Sequence, residues 1–207
     1  MKYIFVAGAP GSKWSSVVKN IYYSASLDQT DYSEARTYHH DADGAMHLMH
    51  LGAYFDPGME FGDWFDKIHE HTKEECEREF DRPFSGHGIR IIKSHVFCHH
   101  IDFLKRTWPD CPVVLVHRSN DACLGWWVRC GHFDITYPDY KGYYQNLATM
   151  ARIIDNQNHD LLAAWQRWQP LPLEDNHHLC DYLGIQYPPT RYRQNYDMKG
   201  IQVGVIR

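Results

Sequence analysis

Cationic and titratable side chains stand at the ends of two short apolar runs. Ile91-Ile92 leads into Lys93-Ser94-His95, and Val113-Val114-Leu115-Val116 leads into His117-Arg118. Runs of this length, rich in Ile and Val, predict buried parallel strands. In open α/β sheets, chemistry gathers outside the carboxyl ends of such strands. Lys93, His95 and Arg118 are therefore expected at one edge of one sheet. A third run, Tyr3 to Ala7, feeds a Gly-rich turn from Gly8 to Ser16 that opens at the same edge. An ammonium, an imidazole and a guanidinium beside such a turn suit the transfer of an anionic group. An imidazole with an ordinary pKa of about 6.5 serves as a general base near neutral pH.

The turn reads Gly8-Ala9-Pro10-Gly11-Ser12-Lys13-Trp14-Ser15-Ser16. Glycines let the backbone approach a phosphate, a following helix start offers N–H groups, and Lys13 adds a full charge. Ser12, Ser15 and Ser16 add hydroxyl donors. The order is not that of an ATP-binding G-x-x-x-x-G-K-[ST] loop, since Lys13 and Trp14 fall where Gly and Lys belong. No carboxylate ends the strands; Lys93 and His117-Arg118 occupy those places.

The positioning elements follow from periodicity. Residues 2–7, 89–93 and 112–117 are expected as strands. Helices are expected over residues 14–25, 63–80, about 99–107, 120–130, 143–168 and 174–183, with a further helical stretch at 45–51. Gly184 is placed to stop the last helix, and Pro170 and Pro172 to stop the long one. Strands alternating with helices predict an α/β three-layer sandwich, a central parallel sheet with helices on both faces. Residues 1–207 are read as one domain. The polar, His- and Asp-rich stretch within 28–80 is read as a lid or acceptor-facing insert. Trp126 and Trp127 are expected in the core. Tyr137, Tyr140, Tyr143 and Tyr144 are read either as pocket lining or as plain packing.

Composition narrows the function. At 43% hydrophobic and 14% aromatic the chain can build a full core rather than remain disordered. A net charge of −5 argues against nucleic acid as a partner, while a small anionic ligand needs only a local basic pocket. No run approaches the roughly 18 apolar residues of a membrane span, and the start reads as a strand rather than a signal peptide, so a cytoplasmic protein is expected. The six cysteines form no C-x-x-C pair and are expected to be reduced. The fifteen histidines follow no zinc spacing, so no metal site is assigned to them.

The words Lys93-Ser94-His95, then Val116-His117-Arg118, then Asp121 and Trp126-Trp127, resemble the sulfotransferases that use 3′-phosphoadenosine-5′-phosphosulfate (PAPS). Leu179 to Ile185 resembles a word common in the family's C-terminal part. The resemblance covers the first 25 residues and about 90–185. It implies a P-loop NTPase-like, sulfotransferase-like fold, with PAPS as donor and 3′-phosphoadenosine-5′-phosphate (PAP) as product. It further implies a small-molecule acceptor and no metal requirement. His95 would be the general base, and Lys93 would stabilise the transferring charge. Pro10, Gly11, Ser12, Lys13, Ser15 and Ser16 would hold the 5′-phosphosulfate, with Trp14 against the adenine. Arg118 would grip the 3′-phosphate. The family's serine in the following helix falls at Gly125 here, and Ser119 offers a hydroxyl instead. The family's C-terminal Arg-Lys-Gly is echoed by Met198-Lys199-Gly200, and its first loop carries the basic residue two places before Lys13.

Two other readings remain open. A phosphotransferase, such as a small-molecule or nucleoside kinase, would use ATP and Mg²⁺ on the same scaffold. A non-catalytic nucleotide- or metal-binding module would keep its function without His95. Acceptor identity and oligomeric state are not written in the chain.

Overall fold

Strand β1, Tyr3–Ala7, is buried at every residue, which places it mid-sheet. The computed structural model describes residues 1–31, 39–42, 45–48, 51–129, 144–174, 178–192 and 199–207. In chain order the elements after β1 are α1 (Trp14–Lys19), β2 (His39–Ala42), β3 (Ala45–Leu48), β4 (Ala53–Tyr54), α2 (Lys73–Asp81) and β5 (Arg90–Ser94). Then come α3 (Ile101–Thr107), β6 (Val113–Arg118), α4 (Asn120–Arg129), α5 (Leu147–Trp168), β7 (Leu171–Leu173), α6 (Leu179–Leu183) and β8 (Ile201–Ile206).

Six strands form one sheet in the order β4-β5-β1-β6-β8-β7. The first four run parallel, with Tyr3 opposite Arg90 and Phe5 opposite Val113. The sheet is mixed rather than wholly parallel, because β8 enters antiparallel between β6 and β7. The apolar run at the C-terminus supplies that strand. Gly204 makes the insertion fit, since a Cβ there would press into Trp165 and Pro170. Pro172 is tolerated in β7 because that strand lies at the sheet edge.

Alternation along β1 divides the core. Ile4 and Val6 join α1, α4, α6 and the first half of α5; Tyr3, Phe5 and Ala7 join α2, α3 and the second half of α5. Helices thus pack on both faces of the sheet. Among the described residues no helix is long and apolar enough to cross a membrane. Five cysteines, at 76, 98, 111, 123 and 180, are buried free thiols.

Several boundaries differ from the periodicity. The helix expected over 14–25 ends at Lys19 and continues as turns, with Ser24 N–H donating to the Ile21 carbonyl at 2.9 Å. The stretch expected to be helical at 45–51 contains β3, which pairs with β2. The helix expected over 63–80 is split. A 3₁₀ turn at Phe65–Glu70 gives way to extended His71, and α2 restarts behind a capping box. There Thr72 Oγ1 accepts from Glu75 N–H at 3.2 Å while Glu75 Oε2 accepts from Thr72 N–H at 2.8 Å. The long helix begins at Leu147, capped by Asn146. Residues 130–143, with Cys130 and with Tyr137, Tyr140 and Tyr143 of the aromatic loop, lie outside the described residues, as does Met198.

Candidate functional site

The turn after β1 is shaped by two left-handed residues. Gly11 has φ 82° and Lys13 φ 64°, on either side of Ser12. Such residues bend the main chain into a concave turn of the kind that gathers N–H groups round an anion. Gly11 cannot be replaced cheaply, because a Cβ would collide with the Cys123 carbonyl of α4. Lys13, with a Cβ, holds the same backbone region at a cost of about 1–2 kcal/mol. Inside the turn the hydroxyls of Ser12 and Ser15 are buried with no hydrogen-bond partner among the described residues. A buried unpaired hydroxyl is costly and points to a missing acceptor or donor. Pro10 is buried in the same turn and Ser16 is half-buried. Helix α1 has only six residues, so Lys13 rather than a helix dipole supplies most of the positive charge.

β5 and β1 lie side by side, with Val6 opposite Lys93 and Ala7 opposite Ser94. This register brings His95 against the turn. His95 Nδ1 lies 2.6 Å from the Gly8 carbonyl. A carbonyl can only accept, so Nδ1 carries the proton and Nε2 keeps its lone pair. His95 has left the strand, with φ −67° and ψ −36°, so strand alternation does not orient it. Packing does instead. Trp14 stacks on the imidazole at 3.9 Å and 14°, and Tyr54 meets it edge-on at 5.4 Å. Burial pushes the His95 pKa below 6.5; Asp56 and the Gly8 carbonyl pull it up, and Lys93 pushes it further down. Lys93 is fully buried, donates to the Leu51 carbonyl at 2.7 Å, and lies 6.0 Å from the Trp14 ring. Trp14 is thus 4% exposed, with a ring face against His95 rather than open to an adenine.

The third corner is the end of β6. Arg118 Nη1 donates to the Gly11 carbonyl at 3.1 Å, tying guanidinium to turn. Its own carbonyl accepts from Asn158 Nδ2 of α5 at 2.9 Å. Ser119 is exposed, and its carbonyl receives the Cys123 N–H as α4 begins. Gly125 is exposed one turn later with open space around it. Arg118 pairs with Ile201, so Lys199 and Gly200, just ahead of β8, reach the same edge. Trp127 is core as expected, but Trp126 is only half-buried. Lys13 lies 4.6 Å from its ring centroid, and Arg118 and Arg129 each lie 6.0 Å away. Three cations around one indole make a positive surface beside the turn.

The residues missed in the sequence are Asp56, Tyr54, Trp126 and Arg129. Asp56 is fully buried and accepts hydrogen bonds from Ser94, His95, Tyr54 and Tyr144. It sits in Phe55-Asp56-Pro57-Gly58, which reads as a surface turn. Among the described residues no group of three or more His, Cys, Asp or Glu side chains is placed to hold a metal. His99 instead pairs with Asp160 at 2.6 Å, and His69 stacks on His100 at 5.1 Å.

No family model matches the chain, and neither does any curated protein or solved structure.

Proposed function

We propose that this protein is a cytoplasmic PAPS-dependent sulfotransferase, a P-loop-like three-layer domain acting on a small hydroxyl or amine acceptor. One observation carries the reading: His95 Nδ1 is held on the Gly8 carbonyl, which leaves Nε2 without the proton, beside a turn whose two left-handed residues suit an anion. Nε2 takes the proton of the acceptor hydroxyl. The acceptor oxygen then forms a bond to sulfur, the bond from sulfur to the 5′-phosphate oxygen breaks, and PAP leaves with the electron pair. Such in-line transfer depends on positioning and charge stabilisation. Lys93 stabilises charge at the bridging oxygen. Lys13 and the turn hold the 5′-phosphosulfate, and Arg118 holds the 3′-phosphate beside Ser119, Lys199 and Gly200. Stacking by Trp14 covers a face of the imidazole, whereas a proton is taken in the ring plane, so the contact is compatible with a base.

A second reading, a non-catalytic nucleotide-binding module, is favoured by the burial of the two reactive groups. His95 is 4% exposed and Lys93 0%, with its ammonium engaged by Leu51.

The test is ligand stabilisation, since a ligand bound only by the folded state raises Tm with concentration. PAP is expected to raise Tm saturably, ATP with Mg²⁺ is not, and Arg118→Ala is expected to weaken the response. His95→Gln is expected to keep PAP binding and lose transfer from PAPS by roughly 10²–10⁴-fold. A response to ATP with Mg²⁺ alone would replace this reading with a phosphotransferase. PAP binding without transfer to any of phenols, alcohols, sugars or peptidyl tyrosines would establish the module.

A further inference from the structure

Asp56 lies two residues beyond Tyr54, which pairs with Lys93 at the edge of the sheet. The chain turns there, with Asp56 N–H donating to the Phe61 carbonyl at 3.1 Å and Met59 N–H donating to the Asp56 carbonyl at 3.0 Å. An aspartate ahead of Pro57-Gly58 would ordinarily face water. This one points inward and has no exposed surface. Burying a carboxylate costs several kcal/mol unless its lone pairs are filled. Here five donors among the described residues fill them.

The two oxygens have separate duties. Oδ1 accepts from Ser94 Oγ at 2.7 Å, His95 N–H at 3.0 Å and, at the long limit of 3.4 Å, Val96 N–H. That oxygen fixes the main chain as it leaves β5. Oδ2 accepts from Tyr54 OH at 2.8 Å and Tyr144 OH at 2.9 Å. Tyr54 is one wall of the imidazole. Tyr144 is buried just ahead of α5, against Trp127 at 5.1 Å. One carboxylate therefore joins three segments far apart in the chain at the residue that carries the imidazole.

We propose that Asp56 is a positioning residue for His95, setting the placement of the imidazole through its main chain and the tyrosine that walls it, and its readiness to take a proton through the carboxylate charge beside it. The inference deepens the base role assigned to His95 and rests on that reading only for its kinetic consequence. Asp56 itself touches no reacting atom. Among the described residues, the charged groups that act on the imidazole are Asp56 and Lys93, with the Gly8 carbonyl on Nδ1 and the Tyr54 ring edge-on.

Asp56→Asn is the informative variant. Its amide oxygen can still accept from Ser94 and His95, and its NH₂ can donate to the two tyrosine oxygens, so shape is kept and charge removed. Histidine ¹⁵N spectra distinguish a protonated ring nitrogen from one with a lone pair. In the native protein His95 is expected as a single form, protonated at Nδ1. In Asp56→Asn the pH at which His95 takes up a second proton is expected to fall, because the attractive charge is gone. The Nδ1–H form is expected to persist, because the Gly8 carbonyl can only accept. Tyr144→Phe, which removes one donor and leaves the rest, is expected to move the same signals less. If Asp56→Asn does not fold, Tyr144→Phe and Ser94→Ala carry the test.

A His95 spectrum and titration unchanged in every folded variant, with only Tm lowered, would overturn the proposal and leave Asp56 a purely structural residue. The readout needs no sulfuryl transfer. Failure of PAP to bind would sink the sulfotransferase reading without touching this one, and an unmoved His95 would do the reverse. Where transfer is measured, Asp56→Asn is expected to lower kcat and shift its pH profile while leaving KM for PAPS in place.

Discussion

Two aromatic clusters lie on opposite faces of the same sheet and solve different problems. One is built of Phe5, Phe55, Phe65, Phe80 and Phe97, all without exposed surface. Phe55 stacks on Phe65 at 5.3 Å, and Phe80 meets Phe5 and Phe65 edge-on at 5.5 and 5.6 Å. None of these rings has a polar atom, so each need only fill space. The other cluster is Trp14, Tyr54, Tyr144 and Trp127 around His95 and Asp56. Every ring there carries an N–H or O–H. The tyrosine hydroxyls end on one carboxylate oxygen. The first cluster supplies stability that tolerates rearrangement. The second fixes directions, because a hydroxyl that rotates away from a buried carboxylate leaves two groups unsatisfied.

That division can be broken experimentally. The largest effect is expected from Phe80→Ala, which should lower stability by about 3–5 kcal/mol by leaving a cavity in the dry cluster. Denaturant midpoints measure it, and the PAP response per folded molecule should be unchanged. A folded Phe80→Ala that no longer responds to PAP would show that the two faces are coupled.

A smaller effect concerns acid. Burial pushes His100 down to about 4, against the opposing Asp66 carbonyl, and burial also lowers His95 and His117. In the unfolded chain these imidazoles take up protons near pH 6.5; folded, they resist until the pH is lower. Between those limits the unfolded state binds more protons, so stability is full above about pH 6.5 and falls as pH drops towards 4. Tm measured from pH 7.5 to 5 should decline. His100→Gln should flatten part of the slope on the phenylalanine side and leave the His95 part. A flat native profile would contradict the burial of both.

The smallest effect is local. Thr72→Ala removes the cap of α2 and should cost about 1 kcal/mol with no change in ligand response. Thermal unfolding of the single variant measures it.

What could be read in the chain depended on how far apart the partners lie. Lys93, His95 and Arg118 were legible because each ends an apolar run, and the parallel pairing of β5, β1 and β6 brings those ends together. Asp56 was not, because four of its five donors are 38, 39, 40 and 88 residues away and only the fold brings them near. Trp126 and Trp127 are adjacent, and helical rotation sends one to the core and the other out to three cations. The split before α2 was written in Thr72-x-x-Glu75, a signal that outranks apolar spacing. The residues 45–48 form a hairpin strand with no periodicity strong enough to separate strand from helix. β7 was hidden because Pro170 and Pro172 read as a stop, whereas an edge strand accepts Pro172.

The antiparallel strand has a consequence for how the molecule is made. β6 pairs with β1 on one side and β8 on the other, and β8 spans residues 201–206. Until those residues leave the ribosome, β6 presents an open row of N–H and C=O groups, the kind of edge that recruits foreign strands. Its neighbour β1, by contrast, precedes both of its partners, at residues 90–94 and 113–115. The middle strand of the sheet is thus made before its partners and the strand that covers β6 well after them, so a nascent chain exposes β6 to misassembly until β8 follows.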